Sequence, residues 1–253
     1  MTQSVADAAK STGTDAPEAA GSARAVVSSG NPELDSKLGG GLPVGSLLLI
    51  EGSSGAGKSV LAQQITWGAL QSGLRATFFT SENTVKSLLT QMESIDLDVL
   101  DYLLLSRLRV YPMELARLGE AAPVALLTAM RQYVESAKPD LIAIDSFTAA
   151  IAHARSDAAI LQFFEACKRL CAEGMTLLIT LHANSVNPDL ISPLRSMCDA
   201  HVIVRSEKDG QRLIKTLEVV KIRGAGSVTG AVVGFEVEPG WGMRVIPISK
   251  ARG

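Results

Sequence analysis

The stretch Gly52-Ser53-Ser54-Gly55-Ala56-Gly57-Lys58-Ser59 has the complete pattern of a phosphate-binding loop, G-x-x-x-x-G-K-S. An apolar run at 46–51 precedes this loop, and a stretch typical of a helix follows it at 60–70. A strand, a glycine-rich turn and a helix N-terminus in this order point backbone N–H groups at an anion. We therefore interpret the stretch as a nucleoside triphosphate site rather than as an ordinary turn between a strand and a helix.

Two residues of the loop have expected chemical roles at this site, and the others are expected to contact the nucleotide. Lys58 can reach the β- and γ-phosphates and assist catalysis, and the hydroxyl of Ser59 can hold Mg²⁺. The residues predicted to contact the nucleotide are Gly52, Ser53, Ser54, Gly55, Ala56, Gly57, Lys58, Ser59 and Val60.

Two carboxylates follow predicted strands and are candidates for the same site. Asp145 ends the apolar run 141–145 and can hold Mg²⁺ opposite Ser59, although an Asp at a strand end is often only a turn former. Glu82 ends the predicted strand 75–82 and can orient or deprotonate an attacking water. The alternative for Glu82 is an acid at a helix N-terminus, and the residues alone leave both interpretations open.

Three further side chains are weaker candidates. His182 follows the apolar run 177–181 and can sense the γ-phosphate, or it is a histidine satisfied beside a loop. Lys221 and Arg223 are two residues apart and share one face of a strand. They form either a solvated edge or a pair of cations that enters a neighbouring subunit's site. His153 and His201 are predicted to be structural or on the surface.

The order of strands and helices predicts an α/β fold. The predicted strands of the first part are 46–51, 75–82, 107–111, 141–145 and 175–181. They alternate with helices at 60–70, from Val85 through Met92, at 113–137 with a break or restart at Pro123, and at 156–173. Apolar strands that alternate with helices are typical of a mostly parallel sheet covered on both faces. Later strands, at 201–205, 213–222, 231–238 and 243–248, predict C-terminal antiparallel hairpins with turns at 209–210 and 239–242.

Composition limits the classes of function. Residues 1–30 are rich in small and polar residues, which predicts a disordered tail before one domain at 31–250. The net charge of −2 gives no support for nucleic-acid binding, and no apolar run approaches the ~18 residues of a membrane span. Cys167, Cys171 and Cys198 are predicted to be free thiols, the first two buried on a helix. We expect a cytoplasmic protein.

Several motifs resemble one known family. The residues 38–46 (Leu-Gly-Gly-Gly-Leu-Pro-Val-Gly-Ser) and 221–224 (Lys-Ile-Arg-Gly) resemble the KaiC-like branch of the RecA-like P-loop ATPases. More narrowly, the chain resembles the FlaH/ArlH family of archaellum motor proteins. The stretches that carry this resemblance are 80–84 (Thr-Ser-Glu-Asn-Thr), 107–112 (Arg-Leu-Arg-Val-Tyr-Pro), 195–199 (Arg-Ser-Met-Cys-Asp), 221–225 and 235–239.

The resemblance implies a RecA-like fold and ATP as the nucleotide, with Mg²⁺. It implies that Glu82 occupies the place of the catalytic glutamate, and that Lys221 and Arg223 reach the ATP of the next subunit in a hexameric ring. It also implies partners, namely the motor ATPase and the membrane platform protein of the archaellum, at the cytoplasmic face of the membrane. Contact with the membrane is then expected only through those partners.

Two other functions belong to the same superfamily. A recombinase-like, DNA-dependent ATPase needs a basic segment after the His182 strand, but residues 183–192 contain no Lys or Arg. A KaiC-like signalling protein that phosphorylates itself is the other alternative, and a single domain instead of a tandem pair makes it less attractive.

Overall fold

The computed structural model of the chain describes residues 25–209, 212–224, 229–239 and 242–246. A small antiparallel sheet pairs β1 (Val26–Val27) with β2 (Leu42–Pro43). The strands of the main sheet are β3 (Leu47–Gly52), β4 (Ala76–Thr80), β5 (Leu108–Pro112), β6 (Leu141–Asp145), β7 (Thr176–His182), β8 (Ala200–Asp209), β9 (Arg212–Ile222), β10 (Val232–Glu238) and β11 (Gly242–Ile246).

The main sheet is parallel through its centre and antiparallel at one end. Its spatial order is β11-β10-β9-β8-β3-β7-β6-β4-β5. The strands from β3 to β8 pair in parallel, whereas β9, β10 and β11 join β8 through successive antiparallel pairings. The predicted α/β class, with a mostly parallel sheet and C-terminal antiparallel hairpins, is confirmed.

Helices cover both faces of this sheet. They are α1 (Pro32–Lys37), α2 (Lys58–Gln71), α3 (Val85–Ser94), α4 (Leu100–Leu104), α5 (Leu115–Leu118), α6 (Ala122–Ala137), α7 (Thr148–Ala152), α8 (Asp157–Ala172) and α9 (Pro188–Met197). The sequence did not predict α1, α4, α7 or α9. The first three helices are short, and α9 contains Pro193, a residue that normally interrupts a helix, so its sequence does not read as helical. Pro123 lies in the first turn of α6, so it restarts a helix there, as one of the two predicted alternatives has it.

Alternate residues along the central strands contribute side chains to two apolar layers, one on each face of the sheet. Leu48 and Ile50 of β3 pack with α2, whereas Leu47 and Leu49 pack with α8 on the opposite face. Since both faces are covered, the central strands are apolar without alternation. Cys167 and Cys171 of α8 are buried free thiols in the second layer, as predicted.

The beginning of the folded unit differs from the prediction. The predicted tail extended to Gly30, but Val26–Val27 form β1 and the side chains of Val27 and Ser29 are 1% exposed. A Cβ atom at Gly68 of α2 would lie 2.1 Å from the carbonyl carbon of Ser29, so only glycine allows this segment to lie on the helix. The boundary at residue 30 is therefore corrected, because residues 26–30 are part of the fold.

Some predicted features fall outside the described residues. These are the tail up to residue 24, parts of the turns at 209–210 and 239–242, the end of the last predicted strand at 247–248, and the end of the predicted domain at 247–250. Within the part of the chain that the structure describes, no helix has both the length and the apolar character needed to cross a membrane.

Candidate nucleotide-binding site

The phosphate-binding loop connects the end of β3 to the beginning of α2. Gly57 is the N-cap of α2 with φ +111°, and Gly55 has φ +73°. Both values lie in the left-handed region that residues with a Cβ atom rarely occupy. The glycines therefore allow a tight curl in which backbone N–H groups and the positive end of a fourteen-residue helix face the same space.

Lys58 lies inside this curl. Its side chain is buried, and its ammonium donates a hydrogen bond to the backbone carbonyl of Ser53 at 2.7 Å. Burial lowers the pKa of Lys58 below its ordinary value of 10.5, while the charges of Asp145 and Glu82 act in the opposite direction. A buried ammonium at the N-terminus of a helix is suited to a multiply charged anion.

Asp145 and Ser59 meet beneath the loop. Oδ1 of Asp145 accepts hydrogen bonds from Ser59 Oγ at 3.1 Å and from Thr180 Oγ1 at 2.6 Å. Burial raises the pKa of Asp145, and these two hydrogen bonds oppose the rise. Its other oxygen, Oδ2, is buried without a hydrogen-bond partner among the described residues. An oxygen of this kind beside a hydroxyl fits a hard cation such as Mg²⁺, so the two residues suit the metal role predicted for them.

Glu82 and His182 line the same cavity at the loop as Lys58 and Ser59. Their side chains approach to 3.9 Å between Glu82 Oε1 and His182 Nε2, and Ser146 Oγ donates to the same Glu82 oxygen at 3.0 Å. The N-cap of α3 is Thr84, so Glu82 precedes the helix and does not cap it. Burial lowers the pKa of His182, and the charge of Lys58 lowers it further. The structure therefore brings both predicted residues to the phosphate loop, and their chemical roles stay predictions.

The cavity at the loop also contains a lysine that the sequence did not indicate. The cavity measures about 190 Å³, and its lining includes Lys58, Glu82, His182 and, from β9, Lys215. The ring of Phe235 on β10 lies 3.1 Å from the position of a Cβ atom at Gly57. The C-terminal strands β9 and β10 thus contact the loop, and β9 adds a second ammonium to the site. Only the register of β9 against β8 places Lys215 there, and no local motif reveals that register.

Lys221 and Arg223 lie elsewhere. Lys221 pairs with His201, whereas the loop begins at Gly52, in line with Val204 and Leu217. Leu217 and Lys221 are four positions apart along β9, a span of roughly 13 Å.

Both cations are held at the C-terminus of α9. Lys221 Nζ donates to the Arg195 carbonyl at 2.6 Å, and Arg223 Nη2 donates to the Ser196 carbonyl at 3.0 Å. Both side chains reach the C-terminus of α9, although Arg223 lies one residue past the end of β9. The structure does not bring them to their own chain's loop.

A buried ion pair connects α9 to the loop strand. Glu51, directly before the loop, is 0% exposed, and Arg195 donates to its two carboxylate oxygens at 2.8 and 2.6 Å. Nε2 of His201, which is also buried, lies 2.9 Å from Glu51 Oε1. Burial raises the pKa of Glu51, but the hydrogen bonds from Arg195 and the close approach of His201 outweigh it, so the net shift is downward. His201 is therefore structural, in agreement with one of the two predicted alternatives.

Comparison with known proteins agrees with this geometry. The family described as "ATPase: KaiC" matches residues 27–250, nearly the whole described chain. The "Archaeal flagellar ATP-binding protein FlaH" of Sulfolobus acidocaldarius is 31% identical over 230 residues, which cover 90% of this chain and 99% of that protein. The chain belongs to the KaiC family of ATPases and, within it, to the FlaH family.

Two further relatives are named as FlaH and KaiC proteins. The FlaH protein of Methanocaldococcus jannaschii is 29% identical to this FlaH-family chain over 219 residues, covering 84% of the chain and 91% of that protein. The "Circadian clock protein KaiC3" of Synechocystis is 26% identical over 87% of the chain, which spans 45% of that longer protein.

Solved structures show the same fold. The crystal structure of FlaH from Methanocaldococcus jannaschii superposes with a TM-score of 0.75 at 24% identity, over 85% of this chain and 96% of that one. A KaiC-like protein of Pyrococcus horikoshii gives 0.74 at 21% identity, over 88% of this chain and 100% of that one. The RecA-like architecture expected from the resemblance is thereby confirmed.

Proposed function

We propose that the chain binds ATP with Mg²⁺ at the loop and serves as a ring-forming, regulatory component of an archaellum motor. One observation carries this proposal. Lys58 and Ser59 line one cavity with Glu82 and His182, and Asp145 accepts a hydrogen bond from Ser59, in a chain that matches an archaeal flagellar ATP-binding protein over 99% of that protein's length. Lys58 would bind the phosphates, and Ser59 and Asp145 would hold the cation, which screens the phosphate charge when bound.

Hydrolysis would be slow and would act as a switch. Glu82 would orient a water at the end of the triphosphate, and His182, 3.9 Å from it, would sense the γ-phosphate. Glu82 is held by one neutral hydroxyl and is half exposed, with 51% of its side chain accessible. An exposed, weakly held base favours modest turnover, because catalysis depends on fixed geometry.

Ring formation would follow from the position of Lys221 and Arg223. Lys221 lies roughly 13 Å along β9 from the level of its own loop, and Arg223 lies two residues farther on, so the two cations would not serve their own nucleotide. In a head-to-tail arrangement, the same face of one subunit meets the loop of the next, and such an interface forms a ring when the rotation between neighbours closes. The two cations would exchange the α9 carbonyls for the phosphates of the neighbour's ATP.

The partners would be further copies of this chain, the motor ATPase and the membrane platform protein, at the cytoplasmic face of the membrane. Nucleic acid is not among them, since the segment 183–192 is a short 3₁₀ turn and the first part of α9, and it contains no cation.

Light scattering with Mg-ATP, with Mg-ADP and without nucleotide tests the proposal. A hexamer has a mass of about 160 kDa, six times the 26.6 kDa chain. We expect this mass with Mg-ATP and a smaller one in the other two conditions. Growth without limit on ATP would favour a recombinase-like filament, and failure to bind ATP at all would contradict the proposal.

A further inference from the structure

A second cationic cavity lies at the edge of the sheet opposite the phosphate loop. It measures about 450 Å³ and is lined by three arginines, Arg75, Arg107 and Arg109, with the hydroxyl-bearing Ser106 and Ser136. Arg75 directly precedes β4 and Arg107 directly precedes β5, and these two strands are parallel neighbours. The topology therefore brings the arginines together at the amino ends of the strands, whereas the nucleotide site lies at the carboxyl ends.

The arginines have little local compensation. Among the described residues, no carboxylate lies within ion-pair distance of any of the three. Asp140 lies at the same edge, but its Oδ2 accepts from the backbone N–H of Arg75. The guanidinium of Arg107 lies 5.9 Å from the centre of the Tyr102 ring, which holds it in place. Three guanidinium groups that face one cavity without carboxylates make a site for an anion with several oxygens.

One exposed leucine lines this cavity, and two more lie in α4, the helix directly before that leucine in the chain. Leu105 is part of its lining and is 71% exposed, and Leu100 and Leu104 of α4 are 52% and 72% exposed. Leu100 and Leu104 are four residues apart, so they lie on one face of the helix. A free phosphate ion has no apolar part that could contact these leucines. A phosphate-bearing amphiphile fits the whole surface better, because its phosphate contacts the arginines while its acyl chains contact the leucines.

We propose that this surface, formed by Arg75, Arg107 and Arg109 with Leu100, Leu104 and Leu105, binds the phosphate of an acidic phospholipid at a membrane. The leucines enter the boundary between headgroups and acyl chains, and the guanidinium groups pair with the headgroup phosphates. This contact is direct, in addition to any contact through partner proteins, and it is independent of the nucleotide site because the two lie at opposite sheet edges.

Flotation of the full-length protein with vesicles tests the proposal. One vesicle preparation contains phosphatidylcholine alone, and the other contains phosphatidylcholine with phosphatidylglycerol. We expect binding to the second and at least tenfold less to the first. Each arginine near an acidic surface contributes about fivefold in partition, so the double variant R75Q/R109Q should lose roughly 25-fold.

Matched variants separate the two parts of the surface. L104S/L105S should also lose most binding, because the apolar contribution is gone. R131Q removes an exposed arginine of α6 and should bind like the wild type. Thermal melting of each variant checks that it is folded. Equal binding to both vesicles, or full binding by R75Q/R109Q, would overturn the proposal. Capture of a polyglutamate peptide at these arginines without vesicle binding would also overturn it and point to an acidic protein segment.

Discussion

Lys58 and Lys221 carry the same charged group, but they lie in different places relative to the phosphate loop. Burial lowers the pKa of both below 10.5. Lys58 lies in its own phosphate loop beside Asp145, whereas Lys221 is tied to the carbonyls at the end of α9. In the proposed function, Lys58 acts within its own chain and Lys221 acts on the nucleotide of a neighbouring chain. The proposal thus assigns nucleotide binding and assembly to different edges of the sheet, and mutations at the two edges can test it separately.

The replacement Glu82→Gln should have the largest effect, and it concerns the loop edge alone. A glutamine cannot accept the proton of a water, so hydrolysis should fall at least ~100-fold. Nucleotide affinity should change little, because the side chain is half exposed and lies beyond the loop. Single-turnover ATP hydrolysis and an equilibrium titration measure the two effects. An unchanged hydrolysis rate would remove Glu82 from the catalytic role.

The replacement Lys58→Ala tests nucleotide binding at the same edge. Loss of a charge-assisted contact costs about 2–3 kcal/mol, which corresponds to roughly 30- to 150-fold in affinity. A fluorescent ATP analogue, used at a protein concentration at which light scattering gives the monomer mass, measures this loss. Lys221→Ala is the matched control, because it should leave the monomer's affinity unchanged. A comparable loss in both variants would erase the distinction between the two edges.

The replacement Arg195→Ala tests the ion pair that joins the edges. It leaves Glu51 fully buried without its bidentate partner. A broken buried pair costs 3–5 kcal/mol, and we expect about 2 kcal/mol because the Arg195 side chain is 41% exposed. Urea unfolding of Arg195→Ala and of Arg205→Ala, whose ion pair with Glu218 is on the surface, compares a buried pair with an exposed one. Equal losses in the two variants would contradict the structural weight given to Glu51.

The pH dependence of stability provides a second test of Glu51. Its pKa in the folded state lies below the ordinary value of 4.5, so the unfolded chain takes up a proton first as the pH falls. The contribution of Glu51 is therefore complete above about pH 4.5 and is lost as the pH falls through the folded-state pKa. Melting temperatures between pH 7 and pH 3.5 should fall less steeply for Glu51→Gln than for the wild type. Parallel curves would show that Glu51 has no lowered pKa.

The replacement Lys215→Met should have the smallest effect. Lys215 reaches the loop cavity from β9, and its half-buried ammonium contributes to affinity by about 1 kcal/mol, or roughly fivefold. Lys37→Met, at the exposed end of α1, is the control for a general change in charge. If both variants bind ATP like the wild type, Lys215 lines the cavity without contacting the nucleotide.

The features that the sequence predicts well are those written in contiguous residues. The loop at 52–59, the strand that ends in Asp145 and the apolar strands around them each depend on neighbours along the chain, so short patterns suffice. Their convergence follows because parallel strands bring their carboxyl ends to one edge.

The features that the sequence does not predict depend on distant partners. Glu51 is held by Arg195, which is 144 residues away, and Lys215 reaches the loop only through the register of β9 against β8. The segment 26–30 looks like part of a polar tail, and it packs because Gly68 leaves room for it. No local pattern contains any of these three facts.

Mixing two variants tests most directly whether Lys221 and Arg223 act on a neighbour's ATP. K58A keeps these cations but lacks a working loop, and K221A/R223A keeps the loop but lacks the cations. In the mixture only one kind of interface is complete, so Mg-ATP should produce a heterodimer of about 53 kDa, twice the 26.6 kDa chain, while each variant alone stays monomeric. If the mixture remains monomeric where the wild type assembles, the two cations do not act across subunits.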